Sequence, residues 1–210
     1  MSVDPRLARL LAHPAIWRGR SAARLGTLPT GFPELDASLP GNGWPQVGLI
    51  EILLPRLGVG EMYLLLPALA ALSTVPAARW CAWIAPPLEP FAPALAAHGV
   101  NLSRMLIVRT TTPLWACEQA LRSGACTVVL SWMRRVQARA LRRLQLATEH
   151  GRTLGFLFRA LTASSTRESS CAVLRMALQP AAPGLRVTLL KSRGGLHGAI
   201  DLHFPGSEES

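Results

Sequence analysis

The chain has 210 residues, half of them hydrophobic, and carries a formal net charge of +10 from 22 basic and 12 acidic residues. This length suits one domain with a sizeable core, and the mean hydropathy of +0.27 excludes a disordered polar tail. No apolar run reaches the roughly 18 residues needed to span a bilayer, and the N-terminus lacks the apolar centre of a signal peptide. We therefore expect a cytoplasmic protein with no membrane partner.

The predicted elements begin with a helical arm, residues 1–26, in which Asp4 can cap a helix that starts at Pro5. Strands and helices then alternate through a core domain that we place at residues 27–205, followed by a short tail, 206–210. The predicted strands of the alternating part are 48–53, 79–85, 104–109, 126–131 and 153–158. The helices predicted between them are 60–73, 89–98, 113–123 and 134–150.

Apolar strands separated by helices predict a mostly parallel sheet covered on both faces. The pattern changes after residue 170, where three strand-like segments follow each other without a helix. They are 171–178, 185–191 and 197–204, and their links are rich in Pro and Gly. The sequence therefore predicts an α/β fold whose sheet is extended by antiparallel C-terminal strands.

The loop after the first core strand occupies the position of a phosphate-binding loop. That motif needs a first Gly, a Lys for the phosphates and a Ser or Thr for Mg²⁺. Leu54 stands for the first Gly, Glu61 for the Lys and Met62 for the Ser or Thr, while Gly60 is retained. Glu61 would place negative charge where a helix N-terminus otherwise binds phosphate. We therefore expect a nucleotide-binding fold that holds no nucleotide.

The order and spacing of several short segments resemble RecA-type recombinases over residues 27–204. The segments are Pro29-Thr30-Gly31, Leu35-Asp36, Ile50-Glu51-Ile52, Cys81-Ala82-Trp83-Ile84, His98-Gly99-Val100, Glu118-Gln119-Ala120-Leu121 and Val128-Val129. The resemblance implies a RecA-like three-layer fold with a mostly parallel sheet flanked by helices.

The catalytic positions that the RecA resemblance implies are also altered. The metal-binding Asp of the family falls at Leu130, the catalytic Glu at about Pro87 and the phosphate-sensing Gln near Ala160. ATP hydrolysis depends on charge stabilisation and metal placement. The resemblance therefore implies a protein that is not an enzyme and has no catalytic residue, metal or cofactor. The enzymatic alternative is a nucleotide hydrolase with an unconventional site.

Within the RecA-like group, the opening segments resemble the ImuA family of bacterial mutagenesis cassettes. These segments are His13-Pro14-Ala15-Ile16-Trp17-Arg18 and Thr30-Gly31-Phe32-Pro33-Glu34-Leu35-Asp36. The resemblance implies a nucleoid- or replisome-associated adaptor in SOS-induced translesion DNA synthesis. Its partners would be an ImuB-type inactive relative of Y-family polymerases, RecA, an error-prone C-family polymerase and, as an open point, DNA or a second copy of the chain. The rival is an SOS cell-division inhibitor of the SulA type, whose partner would be the tubulin-like division protein.

Positive charge is concentrated in the second half of the chain. From Arg122 to Arg193 there are 13 basic residues and two acidic ones. The segment 133–150 has the periodicity of an amphipathic helix, with Met133, Val136, Ala140, Leu144 and Ala147 on one side. The arginines of this segment are candidates for contact with DNA phosphate or an acidic partner, and the alternative is an ordinary solvated face of a core-packed helix. They are Arg134, Arg135, Arg139, Arg142 and Arg143.

Four further residues are candidates for partner contact. By the RecA resemblance, Lys191 and Arg193 take the positions of two basic residues used between neighbouring protomers; the alternative is a solvated strand end. Trp17 in the arm and Phe32 in a turn are aromatic interface candidates, and for Trp17 the default is packing in the core. The polar segment 161–170, where RecA places a DNA-contacting loop, is predicted as a surface loop.

The four cysteines, Cys81, Cys117, Cys126 and Cys171, show no metal-binding spacing. They are predicted to be buried free thiols.

Overall fold

A mixed eight-stranded sheet forms the centre of the fold in the computed structural model, which describes residues 27–75, 79–192 and 198–204. Its strands are β3 Gly48–Leu54, β4 Trp80–Ile84, β5 Met105–Val108, β6 Cys126–Trp132, β7 Leu154–Ala160, β8 Leu174–Ala181, β9 Gly184–Ser192 and β10 Gly198–His203. The helices are α1 Pro33–Ser38, α2 Glu61–Thr74, α3 Ala92–Ala97, α4 Pro113–Arg122, α5 Ala138–Gly151 and α6 Ala163–Arg167. Two short strands, β1 Thr27–Leu28 and β2 Trp44–Pro45, pair outside the main sheet.

The strand order of the main sheet is β10-β9-β8-β3-β7-β6-β4-β5. The pairings from β8 to β5 are parallel, and β8, β9 and β10 pair antiparallel. The predicted mostly parallel sheet with an antiparallel C-terminal extension is therefore confirmed. The more specific RecA-like architecture stays a prediction.

Two apolar layers cover the sheet. On one face, α2 and α3 pack in a cluster that contains Leu64, Leu65, Leu69, Leu95 and the fully buried Trp44. On the other face, α4 and α5 pack with β4, β6 and β7 around a second cluster of buried residues. The members of that cluster include Leu49, Ile84, Cys117, Leu121, Val129, Leu141, Leu144 and Leu157. Strand β3 is buried along all seven residues, as expected for a central strand of a parallel sheet.

The strand and helix positions of the alternating part are predicted well, but α5 is a correction. The helix begins at Ala138, not near residue 134. The Met133 N–H donates to the carbonyl of Phe158, and the Arg134 carbonyl accepts from the Ala160 N–H. These bonds continue the pairing with β7 and keep the backbone out of a helix. Arg134 and Arg135 therefore lie in the β6–α5 connection and not on the helical face predicted for them.

The segment 161–170 is a second correction, because it contains α6 and is not only a loop. The Thr162 hydroxyl accepts from the Ser165 N–H, and the Ser165 hydroxyl accepts from the Thr162 N–H. This reciprocal capping box starts the short helix. The signal was present in the sequence as Thr-x-x-Ser.

The predicted arm, residues 1–26, and the tail, 206–210, lie outside the described residues, as do Trp17 and Arg193. Among the helices of the described residues, none is long and apolar enough to cross a membrane.

Candidate functional site

The loop between β3 and α2 holds its own carboxylate. Glu61 is buried at the start of α2. Its Oε1 accepts the N–H of Gly58 and its Oε2 accepts the N–H of Val59, both at 2.9 Å. Gly58 and Gly60 have positive φ, of 76° and 107°. Successive backbone N–H groups that point into one concavity form a nest for an anion, and here the Glu61 carboxylate occupies it.

An aromatic side chain that directly follows β10 packs on this loop. The ring of Phe204 lies 4.3 Å from that of Tyr63 and 6.0 Å from that of Phe32, measured between centroids. A Cβ at Gly60 would lie 2.8 Å from Phe204 Cε2, so the ring packs directly on the glycine backbone. Phe32 is only 7% exposed. The prediction of Phe32 as a partner contact is therefore wrong: it is part of the core.

The other positions assigned by the RecA resemblance are occupied by apolar or exposed residues. Leu54 and Leu130 are buried in β3 and β6, and Met62 is half-buried against the core. Pro87 is exposed in the β4–α3 connection, and Ala160 ends β7. The Glu61 carboxylate is buried among N–H groups of its own loop.

A charged cluster lies inside the sheet. Glu51 is fully buried in β3, between Arg159 on β7 and Arg175 on β8. Arg159 Nη1 donates to Glu51 Oε1 at 2.9 Å, and Arg175 Nε lies 2.9 Å from Glu51 Oε2. The second contact is poorly aligned for a hydrogen bond, so it acts through charge.

The same two arginines bind α6 to the sheet. Arg159 Nη2 lies 3.1 Å from Glu168 Oε2, and Arg175 Nη1 donates to the Glu168 carbonyl at 2.7 Å. Arg175 also donates to the carbonyl of Ser165. No prediction from the sequence involved this cluster. Its signal was a charged residue inside each of two apolar strands, Gly-Leu-Ile-Glu-Ile-Leu and Phe-Leu-Phe-Arg-Ala.

A cleft of about 670 Å³ opens at the carboxyl end of the sheet, between the connections that follow β5 and β6. It brings together three of the predicted arginines, Arg134, Arg135 and Arg143, with Trp115 and Trp132. Trp115 is 62% exposed at the start of α4. Trp132 is fixed by stacking on Phe158, with ring centroids 4.8 Å apart. Arg143 pairs with Glu118 of α4.

The remaining predicted basic residues are placed apart from this cleft. Arg139 and Arg142 are exposed on α5 but do not line it. Lys191 lies in β9, where its Nζ donates to the carbonyl of Ser170. Two exposed apolar side chains, Leu88 at 73% and Phe91 at 70%, lie in the β4–α3 connection. No prediction singled them out.

The cysteines are free thiols, as predicted; Cys81, Cys117 and Cys126 are buried, whereas Cys171 is half-buried. Burial raises the pKa of Cys117 to about 12 and that of Cys81 to about 11. A reactive cysteine needs a lowered pKa and access. These two thiols are therefore structural.

Residues 55–155 match the family model described as cell division inhibitor SulA. A cell division inhibitor SulA of Yersinia pestis (strain Pestoides F) is 32% identical over 116 residues, which cover 54% of this chain and 68% of the relative. The chain belongs to the SulA family. A SulA of Yersinia pseudotuberculosis serotype O:1b (strain IP 31758) matches equally, at 32% identity over the same shares.

The crystal structure of SulA from Pseudomonas aeruginosa is 28% identical, covers 53% of this chain and 98% of that chain, and has a TM-score of 0.46. The SulA family match spans the loop with Glu61, the β4–α3 connection and the arginine-rich cleft. Strand β3 with Glu51 precedes the matched range, and β8 with Arg175 follows it. Arg159 and Glu168 also follow the matched range, so all charged residues of the ion cluster lie outside it.

Proposed function

We propose that this SulA-family protein inhibits cell division after DNA damage, by binding a protein of the division machinery. The observation that carries the proposal is the 32% identity to proteins named cell division inhibitor. The expected partner is the tubulin-like division protein, and the expected site of action is the cytoplasm. The SulA-family match supports this function better than the translesion adaptor.

Binding and not turnover is the proposed mode of action. Glu61 fills the nest in which a phosphate would lie, with both oxygens on backbone N–H groups. Leu130 at the expected metal-binding position is buried in the core. A nucleotide would have to displace a buried carboxylate and find its own charge partners. We therefore propose that the protein is not an enzyme, and expect that ATP with Mg²⁺ at millimolar concentration does not raise its melting temperature.

The β4–α3 connection is the proposed contact with the partner. Leu88 and Phe91 are the two most exposed large apolar side chains of the described residues. Exposed apolar side chains that lie together are a usual feature of protein interfaces, and aromatic anchors often carry much of the binding energy. Both residues lie inside the range that matches the SulA family.

The test is overproduction in a rod-shaped bacterium, with cell length measured by microscopy. The native protein should produce filaments, and the double variant Leu88→Asp with Phe91→Asp should not. The control, Val75→Asp with Leu146→Asp, replaces two other exposed apolar residues, at 47% and 52% exposure. Cells of normal length with native protein, at confirmed expression, would overturn the division-inhibitor proposal. Equal filaments from all three proteins would overturn only the proposed surface.

The translesion adaptor of the ImuA type is the second candidate. What suggests it is the resemblance of Thr30–Asp36 to that family, in a segment that the SulA match does not cover. Its finer claims, including contacts with RecA, an inactive polymerase relative and an error-prone polymerase, are proposals. Deleting the gene should then lower the frequency of damage-induced mutation, whereas a division inhibitor should leave that frequency unchanged.

A further inference from the structure

The cleft between α4 and the β6–α5 connection combines two kinds of side chain that are rarely exposed together. Trp115 presents its ring to solvent, and Trp132 forms a second aromatic wall that Phe158 and Trp83 hold in place. Arg134 and Arg135 lie at the same opening. Neither the SulA match nor the proposed division function assigns a role to these side chains.

The positive charge of this cleft is largely unneutralised. Arg143 pairs with Glu118, but Arg134 and Arg135 form no ion pair within the described residues. The basic surface continues beyond the cleft along α5, where Arg139, Arg142 and Arg143 stand at positions i, i+3 and i+4 of one helical face. A partner that contacts both the cleft and α5 must therefore carry several negative charges along an extended chain.

We propose that this cleft binds single-stranded nucleic acid, with a base stacked on Trp115 and phosphates held by Arg134 and Arg135. Stacking on exposed aromatic rings beside a basic track is the usual way to bind a single strand without sequence preference. A volume of about 670 Å³ accommodates an unpaired base together with its sugar and phosphate. Duplex DNA is disfavoured, because its bases are stacked on each other and offer no face to a tryptophan.

An acidic peptide is the competing occupant. Its carboxylates would pair with Arg134 and Arg135, but an acidic peptide has no flat group to stack on the exposed indole of Trp115. A nucleic acid uses both, because each nucleotide carries one phosphate and one flat base. This binding is separate from the proposed division function: it can fail while the protein still causes filaments, and the reverse also holds.

The test uses the full chain, with fluorescence anisotropy of labelled oligo-dT and oligo-rU of about 12 nucleotides. We expect binding that weakens with salt, and an accompanying quench of tryptophan emission. Replacing Trp115→Ala should weaken binding by about 5- to 100-fold, and Trp115→Phe should retain most of it. The double variant Arg134→Ala with Arg135→Ala should make the negative slope of log K against log salt less steep, by about 1.4.

The matched control is Arg104→Ala with Arg122→Ala. It removes the same charge from two exposed arginines at the amino ends of strands β5 and β6, which flank β4 in the sheet. Its affinity and salt slope should remain close to those of the native protein. Melting temperatures of all variants establish that they fold, which is expected since the substituted side chains are exposed.

The proposal is supported if dT, rU or both bind with this dependence on Trp115 and on the arginine pair. A preference for one of the two would identify which strand is the ligand. It is overturned if neither oligonucleotide binds at low salt, or if the control variant weakens binding as much as the cleft variant. Binding of a polyglutamate peptide in place of both oligonucleotides would also overturn it, in favour of an acidic protein partner.

Discussion

Arg159 Nη1 lies 2.9 Å from Glu51 Oε1, and both side chains are almost completely removed from solvent. The two residues are 108 positions apart in the chain, yet their strands are neighbours in the sheet. Arg175 approaches the other oxygen of the same carboxylate from β8. One buried acidic group therefore connects three strands. Its two arginine partners in turn contact Glu168 and Ser165, which fixes the helix α6 to the sheet.

Replacing Glu51→Gln should destabilise the protein by about 3–5 kcal/mol. The buried Arg175 would lose its counter-charge, and the buried Arg159 would keep only its contact with the half-exposed Glu168. Urea unfolding followed by circular dichroism measures this free energy. The control is Asp201→Asn in the exposed pair with Arg186, which should leave the midpoint unchanged. A loss of under about 1 kcal/mol for Glu51→Gln would mean that the cluster is reached by solvent.

Replacing the whole cluster by apolar residues should be much less harmful than removing its acid. Glu51→Leu with Arg159→Met and Arg175→Met removes every buried charge together, and such exchanges are often neutral or stabilising. We expect the free energy of unfolding of this triple variant to lie closer to the native value than that of the Glu51→Gln variant does. Protease cleavage near α6 should increase at the same time, since Arg175 no longer binds the Ser165 and Glu168 carbonyls.

Replacing Glu61→Ala should cost roughly 1.5–3 kcal/mol, the usual value for hydrogen bonds to a charged group. It should also uncover the nest of Gly58 and Val59, so that sulfate or phosphate raises the melting temperature of the variant more than that of the native protein. Thermal scans with and without 50 mM anion, a concentration of about the right order for a weak site, measure both. Equal responses of the two proteins would show that the nest collapses without its carboxylate.

Two glycines of the same loop should respond differently to alanine. A Cβ at Gly58 would meet nothing within 4 Å, whereas one at Gly60 would lie 2.8 Å from the Phe204 ring. Both have positive φ, so each alanine carries a conformational cost of about 1–2 kcal/mol. Gly60→Ala should be the more destabilising, because the Phe204 ring must also move. A thermal scan of the two variants compares them, and equal losses would mean that Phe204 moves without cost.

Stability should decrease as the pH rises from 9 towards 11. Burial raises the pKa of Cys81 to about 11 and that of Cys117 to about 12. Well below pH 9 both thiols are protonated in the native and the unfolded chain, so their contribution is complete there. Above pH 9 the unfolded chain loses these protons first, which favours unfolding.

The expected loss by pH 11 is roughly 2 kcal/mol for each thiol. Burial also raises the pKa of Cys126 and Cys171. The chain has one Tyr and one Lys, so the cysteines should dominate the effect in this pH range. Urea midpoints measured from pH 8 to 11 give the slope, which should be smaller for Cys117→Ala. An identical slope in the variant would show that Cys117 does not contribute.

The sequence by itself determined the alternation of strands and helices, because apolar runs and helical spacing depend on neighbours that are close in the chain. It predicted β3 at 48–53 and α4 at 113–123, and the structure has Gly48–Leu54 and Pro113–Arg122. It also predicted that Glu61 places a negative charge in the loop after β3, since the identity of residue 61 can be seen without coordinates.

Only the tertiary structure decided where α5 begins, since the bonds from Met133 and Arg134 to β7 involve residues 25 or more positions away. The same holds for Phe32. The sequence predicted it at a surface, but in the structure it packs against Tyr63 and Phe204 in the core. The pairing of Glu51 with Arg159 and Arg175, and the meeting of Trp115 with Arg134 and Arg135, are likewise set by strand order. A sequence pattern shows which side chain is present at each position. The order of the strands determines which side chains from distant positions meet in the buried interior of the sheet or at its exposed edge.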